Sequence, residues 1–281
     1  MTTSDDTRRP ASTPAAPTTG ARFLKAIYVY EVPVRLWHWI NALAITVLAA
    51  TGYLIANPLP SLPGEASDHF LMGYIRFLHF AAAYIFAIGF LGRIYWAFVG
   101  NHHARQMFRF PFWDRHWWTE LHLEARWYLF LEHKPKLYVG HNPLAQFAMF
   151  WCIGVGSLFM IVTGFALYGE GAGVDSWQDR LFGWVIPLFG QSQDVHTWHH
   201  VGMWVILLFV MVHIYAAVRE DIMSRQSIIS TMISGVRTFK DAEDAADEDG
   251  HLVPPQRRHP FRIWRRSNPA AAPPKTPAQV G

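Results

Sequence analysis

The chain has 281 residues, of which 51% are hydrophobic and only 16% are charged, well below the roughly 25% charged residues usual in soluble proteins. Aromatic residues make up 15% of the chain, an excess typical of proteins that meet lipid headgroups. The single cysteine, Cys152, and the lack of a C-x-x-C-H motif exclude an internal disulfide framework, a Cys-ligated iron–sulfur cluster, a Cys-rich zinc site and c-type haem. The composition predicts an integral membrane protein whose 15 histidines need an explanation.

Four stretches without Asp, Glu, Lys or Arg predict four membrane-spanning helices. They are residues 36–64, 77–92, 137–169 and 195–218. A spanning helix needs about 20 mostly apolar residues, and the short second stretch continues past Arg93, which lies close enough to the helix end to snorkel. The sequence therefore predicts an all-α integral membrane protein, a four-helix bundle with spans near 37–57, 74–99, 143–168 and 196–218.

The distribution of basic residues predicts the orientation of the bundle. Five Lys or Arg lie in the first 35 residues, six in the 100–142 segment, and ten from Arg219 onward. The 58–74 segment has none and the 170–194 segment has one. Because cytoplasmic loops are enriched in Lys and Arg, we expect both termini and the 100–142 segment on the cytoplasmic side of a bacterial inner membrane.

The composition of the two ends predicts three regions along the chain. Residues 1–25, rich in Pro, Thr and Ala, are predicted to form a disordered cytoplasmic tail rather than a signal peptide, and residues 241–281 a flexible cytoplasmic tail. Residues 26–240 form the membrane domain. Within it, the apolar segment 181–189 is too short to span the membrane and is expected in the interface or against another subunit.

Ionisable residues at membrane depth are expensive and usually functional. The histidines inside the predicted spans or at their periplasmic ends are His38, His69, His79, His196, His199, His200 and His213. An isolated intramembrane histidine often only hydrogen-bonds to a neighbouring helix, so the spacing matters. His199 and His213 are 14 positions apart, which places them on one helix face about 21 Å apart, whereas His200 points elsewhere.

Matching depths predict two histidine pairs. His38 begins the first span and His213 lies near the end of the fourth, both on the predicted cytoplasmic side. His79 and His199 lie in the periplasmic halves of the second and fourth spans. Two imidazoles on facing helices suit a b-type haem that is held without covalent attachment. The sequence thus predicts two stacked bis-histidine sites, His38 with His213 and His79 with His199.

Other chemistries fit these histidines less well. Zinc usually takes a third and a fourth ligand, and a proton relay would need Asp or Glu in the spans, which contain none. The small residues near the histidines allow two interpretations, room for a flat macrocycle or close approach of helices. They are Gly52, Gly89, Gly92, Gly164 and Gly202.

Several further residues keep two interpretations each. Arg76 and Arg93 can pair with haem propionates or snorkel to the headgroups. The aromatic segment 112–118 fits an interfacial helix or the wall of a quinone pocket. The third span, with no interior histidine, either packs or lines a cavity, and its Cys152 is expected to be inert. Interfacial or exposed positions are expected for His102, His103, His116, His122, His133 and His141.

Long stretches of this chain match a known family. They are VYEVPVRLWHWINALAI, TGYLIANPLPSLPGEA, MGYIRFLHF, GRIYWAFVGN, EARWYLFL, GHNPLAQ, HTWHHVGMW and HIYAAVREDIMS. From about Tyr28 to Lys240 the chain resembles the b-type cytochrome subunit of membrane-bound nickel–iron hydrogenases. The resemblance implies a four-helix subunit with two b haems that takes electrons from the iron–sulfur small subunit of a periplasmic hydrogenase, whose large subunit carries nickel and iron, and passes them to membrane quinone.

The family motifs also imply site residues. WHW corresponds to His38, RFLHF to His79, H-x-W-H to His199 and HIY to His213, while His196 is implied to contact the small subunit or a propionate. The wider family includes cytochromes of formate dehydrogenases, so the same scaffold serving formate or thiosulfate dehydrogenase is the main alternative. A non-redox membrane anchor is a further alternative, but it leaves four depth-matched histidines unexplained.

Overall fold

The computed structural model describes residues 25–60, 63–65, 69–132, 138, 140–223 and 227–239. The tails at 1–24 and 241–281, and His133 in the middle loop, lie outside the described residues. The elements are, in chain order, β1 (Lys25–Tyr28), α1 (Val32–Ala56), α2 (Leu71–Val99), α3 (His102–Arg105), α4 (Arg115–Tyr128), α5 (Pro143–Ala148), a π-helical stretch (Met149–Val155), α6 (Gly156–Ala172), α7 (Trp177–Phe182), α8 (Val185–Phe189), α9 (Ser192–Met223), α10 (Ile228–Ser234) and β2 (Val236–Phe239).

Four helices are long and apolar enough to cross a membrane, which confirms the predicted spans. They are α1, α2, the continuous helix Pro143–Ala172 and α9. Each extends beyond the predicted boundaries at one end or both, because the helix continues through polar residues after the apolar stretch ends. Their outward faces carry exposed large apolar side chains such as Leu43, Phe77 and Phe98. Such surfaces suit hydrocarbon, where every backbone polar group must be satisfied within the helix.

The third spanning helix has a defined start and an irregular middle. The Asn142 side chain accepts a hydrogen bond from the amide of Ala145 at 2.7 Å, and Pro143 follows in the first turn, where its missing N–H is not needed. The helix then passes through the π-helical stretch Met149–Val155, which contains the half-buried Cys152. The wider turns end at Gly156, and α6 continues as a regular helix to Ala172.

The two ends of the described chain meet in a short β-ribbon that the sequence did not predict. Strands β1 and β2 pair antiparallel, with Lys25 opposite Phe239 and Tyr28 opposite Val236. Gly235 connects α10 to β2 at φ +80°, and a Cβ there would lie 2.6 Å from the Tyr30 carbonyl oxygen, so this turn requires glycine. We call the end of the bundle with the ribbon, α3 and α4 the termini end, and the opposite end the far end.

The termini end has a small apolar core with polar groups built around it. Ile27, Val29, Tyr30, Val34 and Ala104 form the core, with Trp96 and Met232 packed against it. The Glu31 carboxylate accepts hydrogen bonds of 2.9 Å from the Trp96 indole and from the Asn101 amide. These bonds hold the start of α1 against the end of α2, and so fix the position of the first turns of α1.

The far end is closed by two short helices. Segment 181–189 forms the end of α7 and all of α8, in agreement with the prediction that it is too short to span. Ala166, Val185 and Val195 are fully buried there, on α6, α8 and α9. The short helices thereby brace the beginning of α9 against the end of α6.

Candidate functional site

The structure places the four histidines predicted as ligands in two layers of the bundle. His38 lies in the second turn of α1, and His213 lies ten residues before the end of α9, so both belong to the termini end. His79 and His199 each lie about two turns into α2 and α9 from the far end. His199 and His213 are separated by 14 residues of continuous helix, or about 21 Å along its axis.

The imidazoles of the termini-end pair face each other. The ring centroids of His38 and His213 lie 6.3 Å apart, with an interplanar angle of 56°. Phe209, one turn before His213, stacks on its ring at 5.7 Å and 15°. Among the described residues, the buried Nδ1 of His38 has no hydrogen-bond partner.

The separation of these two rings fits a shared metal centre. Two metal–imidazole bonds of about 2 Å each, plus about 1 Å from each nitrogen to its ring centre, give about 6 Å between centroids. Direct hydrogen bonding or stacking between the two rings would bring them closer than that. The donor set, two imidazoles with no carboxylate beside them among the described residues, would also suit a haem iron. The residues present therefore fit a b-type haem.

The far-end pair lines a large cavity. His79 and His199 both border a space of about 1030 Å³ enclosed by α1, α2, α6 and α9. This volume lies at the upper end of the roughly 300–1,000 Å³ typical of cofactor and ligand sites. Apolar side chains of all four helices line most of it, and the polar residues Arg76, Gln193 and His196 lie at its far-end border. The third span, through α6, thus lines a cavity, one of its two predicted roles.

Two threonines hold the far-end imidazoles, and the sequence analysis did not single them out. Thr51 on α1 lies with its Oγ1 2.8 Å from Nδ1 of His79, and Thr163 on α6 lies with its Oγ1 2.8 Å from Nδ1 of His199. A signal was present in the sequence, because both threonines belong to a Thr-Gly-aromatic triplet, TGY at 51–53 and TGF at 163–165. Without knowledge of the helix faces, this short repeat could not be assigned a partner.

The glycines near the histidines divide between the two predicted roles. A Cβ at Gly52 would lie 3.3 Å from Cε1 of His79, and a Cβ at Gly164 would lie 3.2 Å from Cε1 of His199. Gly202 instead allows close packing against Met160 and Phe159, and Gly89 lies near Trp37. A Cβ at Gly92 would meet no atom within 4 Å. Only Gly52 and Gly164 contact the predicted ligands.

The remaining histidines near the far end, His69, His196 and His200, have other contacts. His200 accepts a hydrogen bond from the Trp204 indole one turn later, at 3.1 Å, in line with the expectation that it points away from His199. His196 is exposed, with Nδ1 3.1 Å from the carbonyl oxygen of Ser192. His69, at the start of α2, is exposed and hydrogen-bonds through Nε2 to the Pro63 carbonyl at 3.2 Å.

The expectation that Arg93 snorkels is wrong. Its side chain turns inward, donates to the Ala104 carbonyl at 2.6 Å and lies over the rings of Trp37 and Phe108 at 5.5 and 5.4 Å. Its Nε and Nη1 are buried without a partner among the described residues. These contacts, made where α1 packs on α2, hold the Arg93 side chain inside the protein and away from the lipid headgroups. Arg76, by contrast, is exposed at the border of the far-end cavity.

His141 and His103, for which we expected interfacial or exposed positions, are partly buried at the termini end. His141 Nδ1 donates to Oε1 of Gln106 at 3.1 Å, which leaves Nε2 to accept from the Tyr30 hydroxyl at 3.2 Å. Burial, assisted by the nearby Arg237 and Arg93 guanidinium groups, lowers the pKa of His141 to about 3. Burial, with His102 and Arg237, lowers the pKa of His103 to about 4. Both imidazoles are therefore neutral at physiological pH.

The aromatic segment 112–118 leads into α4. Asp114 caps this helix through a 2.8 Å hydrogen bond from the amide of His116. Trp117 is buried and donates to Oε1 of Gln146 on α5 at 2.9 Å, whereas Trp113 is 94% exposed. The segment thus joins a packed helix to exposed aromatic side chains, an arrangement typical of an interfacial helix.

Comparison with known proteins adds a family and close relatives. The family model for prokaryotic cytochrome b561 matches residues 29–235. A protein of Azotobacter vinelandii named probable Ni/Fe-hydrogenase B-type cytochrome subunit is 70% identical over 216 residues, 77% of this chain and 90% of that protein. A protein of the same name from Cupriavidus necator is 67% identical over 218 residues (78% and 89%). The probable Ni/Fe-hydrogenase 1 B-type cytochrome subunit of Escherichia coli K12 is 50% identical over 217 residues (76% and 91%).

Proposed function

The chain belongs to the prokaryotic cytochrome b561 family, and on that premise we propose that it is the membrane cytochrome b of a nickel–iron hydrogenase. In this role it takes electrons from the iron–sulfur small subunit, bound with the large nickel–iron subunit on the periplasmic side, and delivers them to membrane quinone. The names of relatives 50–70% identical to it support the association with a hydrogenase. They also favour this role over the equivalent subunit of a formate dehydrogenase.

The observation that carries the proposal is the placement of two imidazole pairs at two depths of one bundle. His38 and His213 would hold the iron of one haem b, and His79 and His199 would hold the iron of a second. The 6.3 Å between the His38 and His213 ring centroids supports the first assignment, and the shared cavity of His79 and His199 supports the second. The haem irons would supply one-electron redox chemistry.

The residues of this chain position and insulate the two centres. Helix α9 supplies one ligand to each pair, so its 21 Å rise between His199 and His213 sets the length of the electron path across the bilayer. Between the two pairs, apolar side chains such as Met203 and Ile206 of α9 line the cavity. Arg76 at the far-end cavity and the buried Arg93, whose guanidinium lies over the ring of Trp37, would neutralise haem propionates, since Arg pairs well with carboxylates.

The proposed orientation places the termini end in the cytoplasm and the far end toward the hydrogenase. Two observations support it. The β-ribbon holds the first and last described segments at the same end, and among the described residues that end carries every Lys and Arg except Arg76 and Arg180. His196, exposed beside the far-end cavity, is then placed to meet the small subunit. Quinone reduction is assigned to the side of the His38/His213 pair.

Haem stoichiometry tests this function directly. We expect the purified wild-type chain to contain two b haems in a pyridine haemochrome assay. His79→Ala and His199→Ala should each contain one, and so should His38→Ala and His213→Ala, while the double variant His199→Ala/His213→Ala should contain none. His122→Ala, which changes an exposed histidine on α4, serves as the matched control and should keep two.

Two results would contradict the assignment. Two haems per chain in purified His79→Ala protein would show that the far-end pairing is wrong. A colourless wild-type protein that still binds the hydrogenase would leave only the anchoring role. Reduction of a quinone analogue by hydrogen, with the complete membrane complex and with the His213→Ala complex, then tests whether electrons leave through this chain.

A further inference from the structure

A Thr-Gly pair contacts a histidine at two places in the far-end cavity. Thr51 and Gly52 on α1 face His79, and Thr163 and Gly164 on α6 face His199. Both threonine oxygens lie 2.8 Å from the Nδ1 atom of their histidine. The Thr-Gly pairs lie on α1 and α6, whereas His79 and His199 lie on α2 and α9. Each imidazole is therefore held from across a helix interface.

The threonine contacts match the imidazole tautomer in which Nδ1 carries the proton. The hydroxyl of Thr51 donates to the Val47 carbonyl at 2.6 Å, and that of Thr163 donates to the Phe159 carbonyl at 2.8 Å. A hydroxyl has one proton to donate, so the oxygen is left to accept at the histidine. In the tautomer that leaves the Nε2 lone pair free for a metal, Nδ1 carries the proton and donates it to this oxygen.

The glycines set the position of the same two rings. A Cβ at Gly52 or Gly164 would lie 3.3 or 3.2 Å from Cε1 of the histidine, closer than side chains normally approach. The ring therefore rests against bare helix backbone at the carbon between its two nitrogens. The threonine hydrogen bond holds one edge of the imidazole ring, and the glycine leaves room for the ring against the helix. Together they limit both rotation and displacement of the ring.

The termini-end pair has a different environment. The buried Nδ1 of His38 has no hydrogen-bond partner among the described residues. His213 stacks on Phe209, one turn earlier on its own helix. This pair is positioned by ring packing, while the far-end pair is positioned by hydrogen bonds.

We propose that Thr51 and Thr163 are positioning residues that lower the reduction potential of the haem at His79/His199 relative to the haem at His38/His213. The inference rests on the proposed function, since it takes the four histidines as ligands. A hydrogen bond from Nδ1–H to an acceptor makes the imidazole a stronger electron donor. Because each hydroxyl also donates to a carbonyl, its oxygen is a better acceptor. Stronger donation stabilises oxidised over reduced iron.

The consequence is a direction for electron flow. A lower potential at the far end, where the hydrogenase would supply electrons, and a higher one at the termini end favour transfer toward the quinone side. The haems held by the two pairs would supply one-electron chemistry, and a transfer from the far end to the termini end would need no proton or other reactant. The difference in hydrogen bonding between the two histidine pairs thus favours electron transfer in the direction that the proposed function requires.

The test is a spectroscopic redox titration of purified variants. Thr163→Val and Thr51→Val keep the side-chain shape without the hydroxyl, and each should raise the lower of the two midpoint potentials and leave the upper one in place. Thr163→Ser and Thr51→Ser restore the hydroxyl and should return the midpoint toward the wild-type value.

Thr46→Val is the matched control. Thr46 lies on α1 and makes the same hydrogen bond to the carbonyl four residues earlier, at 2.9 Å, but it is exposed. Its loss should leave both midpoints unchanged. A lower midpoint that stays at the wild-type value in both valine variants, or that moves equally in Thr46→Val, would overturn the proposal.

Two further outcomes have defined meanings. If Thr163→Val loses the far-end haem, the Thr163→Ser variant decides whether the hydroxyl has the proposed role. Retention of that haem with a wild-type midpoint in Thr163→Ser supports the role of the hydroxyl, and its loss there overturns it. If the wild type lacks a second haem, or His79→Ala keeps both, the proposed function itself has failed. That result is visible in the haem count before any titration is made.

Discussion

The two ends of the bundle hold their helices together by different means. The termini end encloses buried charged and polar side chains, among them Arg93, Arg219, Glu124 and Glu220. The far end has a small apolar cluster, with hydrogen bonds between threonine and histidine side chains beside the cavity. Buried guanidinium groups need specific acceptors and ring faces. The termini end should therefore respond strongly to loss of a charge, and the far end to small changes of shape.

The largest expected effect on stability is at Arg219. Its guanidinium lies over the rings of Trp127, Tyr128 and Phe130 at 4.5, 4.9 and 4.7 Å and donates to the Trp127 carbonyl at 2.8 Å. Desolvated cation–π contacts contribute about 2 kcal/mol or more, so with the lost packing we expect Arg219→Ala to destabilise the protein by about 3 kcal/mol. Thermal unfolding in detergent micelles measures this.

A far-end arginine gives the matched control for that comparison. Arg180 is exposed, with its Nε 3.7 Å from the Asp175 carboxylate, and Arg180→Ala should change the free energy of unfolding by less than about 0.5 kcal/mol. Arg219→Lys should recover only part of the loss, because an ammonium cannot stack as a planar guanidinium does. Equal Tm values for the two alanine variants would show that the buried cation does not stabilise the termini end.

Acidification should weaken the termini end. The pKa values of His141 and His103 are lowered to about 3 and about 4 in the folded protein, chiefly by burial, from an ordinary 6.5. The unfolded chain then takes up protons first as pH falls, so this stability is complete above pH 6.5 and is lost progressively below it. We expect a loss on the order of a few kcal/mol by pH 4.

Variants of His141 test whether this histidine causes the loss of stability at low pH. His141→Asn removes the titrating ring and should flatten the dependence of Tm on pH between 6.5 and 4, although it lowers Tm at neutral pH by breaking the bonds to Tyr30 and Gln106. His122→Asn, at an exposed position of α4, should follow the wild-type curve. An unchanged slope in His141→Asn would assign the acid sensitivity to other groups.

The smallest expected effects are at the far-end glycines. Gly164→Ala and Gly52→Ala each bring a methyl group to 3.2 or 3.3 Å from a histidine ring, so the ring must move by a few tenths of an ångström. We expect lower retention of the far-end haem during purification, measured as haem per chain. Gly92→Ala, with no atom within 4 Å of its Cβ, should retain both haems and gain up to about 1 kcal/mol of helix stability.

The sequence was sufficient for features that depend on one helix at a time. Charge-free stretches located the four spans, and the fixed rise of the α-helix put His38 with His213 and His79 with His199 at matching depths. The sequence left two interpretations open for Arg93, and the inward turn of its side chain excludes snorkelling. The hydrogen bonds of His141 and the pairing of β1 with β2 were not predicted. Each of these depends on what a distant part of the chain places opposite the residue.

The same distinction applies within the candidate site. The sequence by itself determined that histidines lie at two depths of a four-span bundle, because apolar length and helix periodicity are local properties. Only the tertiary structure decided that Thr51 and Thr163 meet those histidines. Helix rotation and crossing are set by the packing of all four spans together, and a rotation of one helix by about 100°, a single residue, would break the contact.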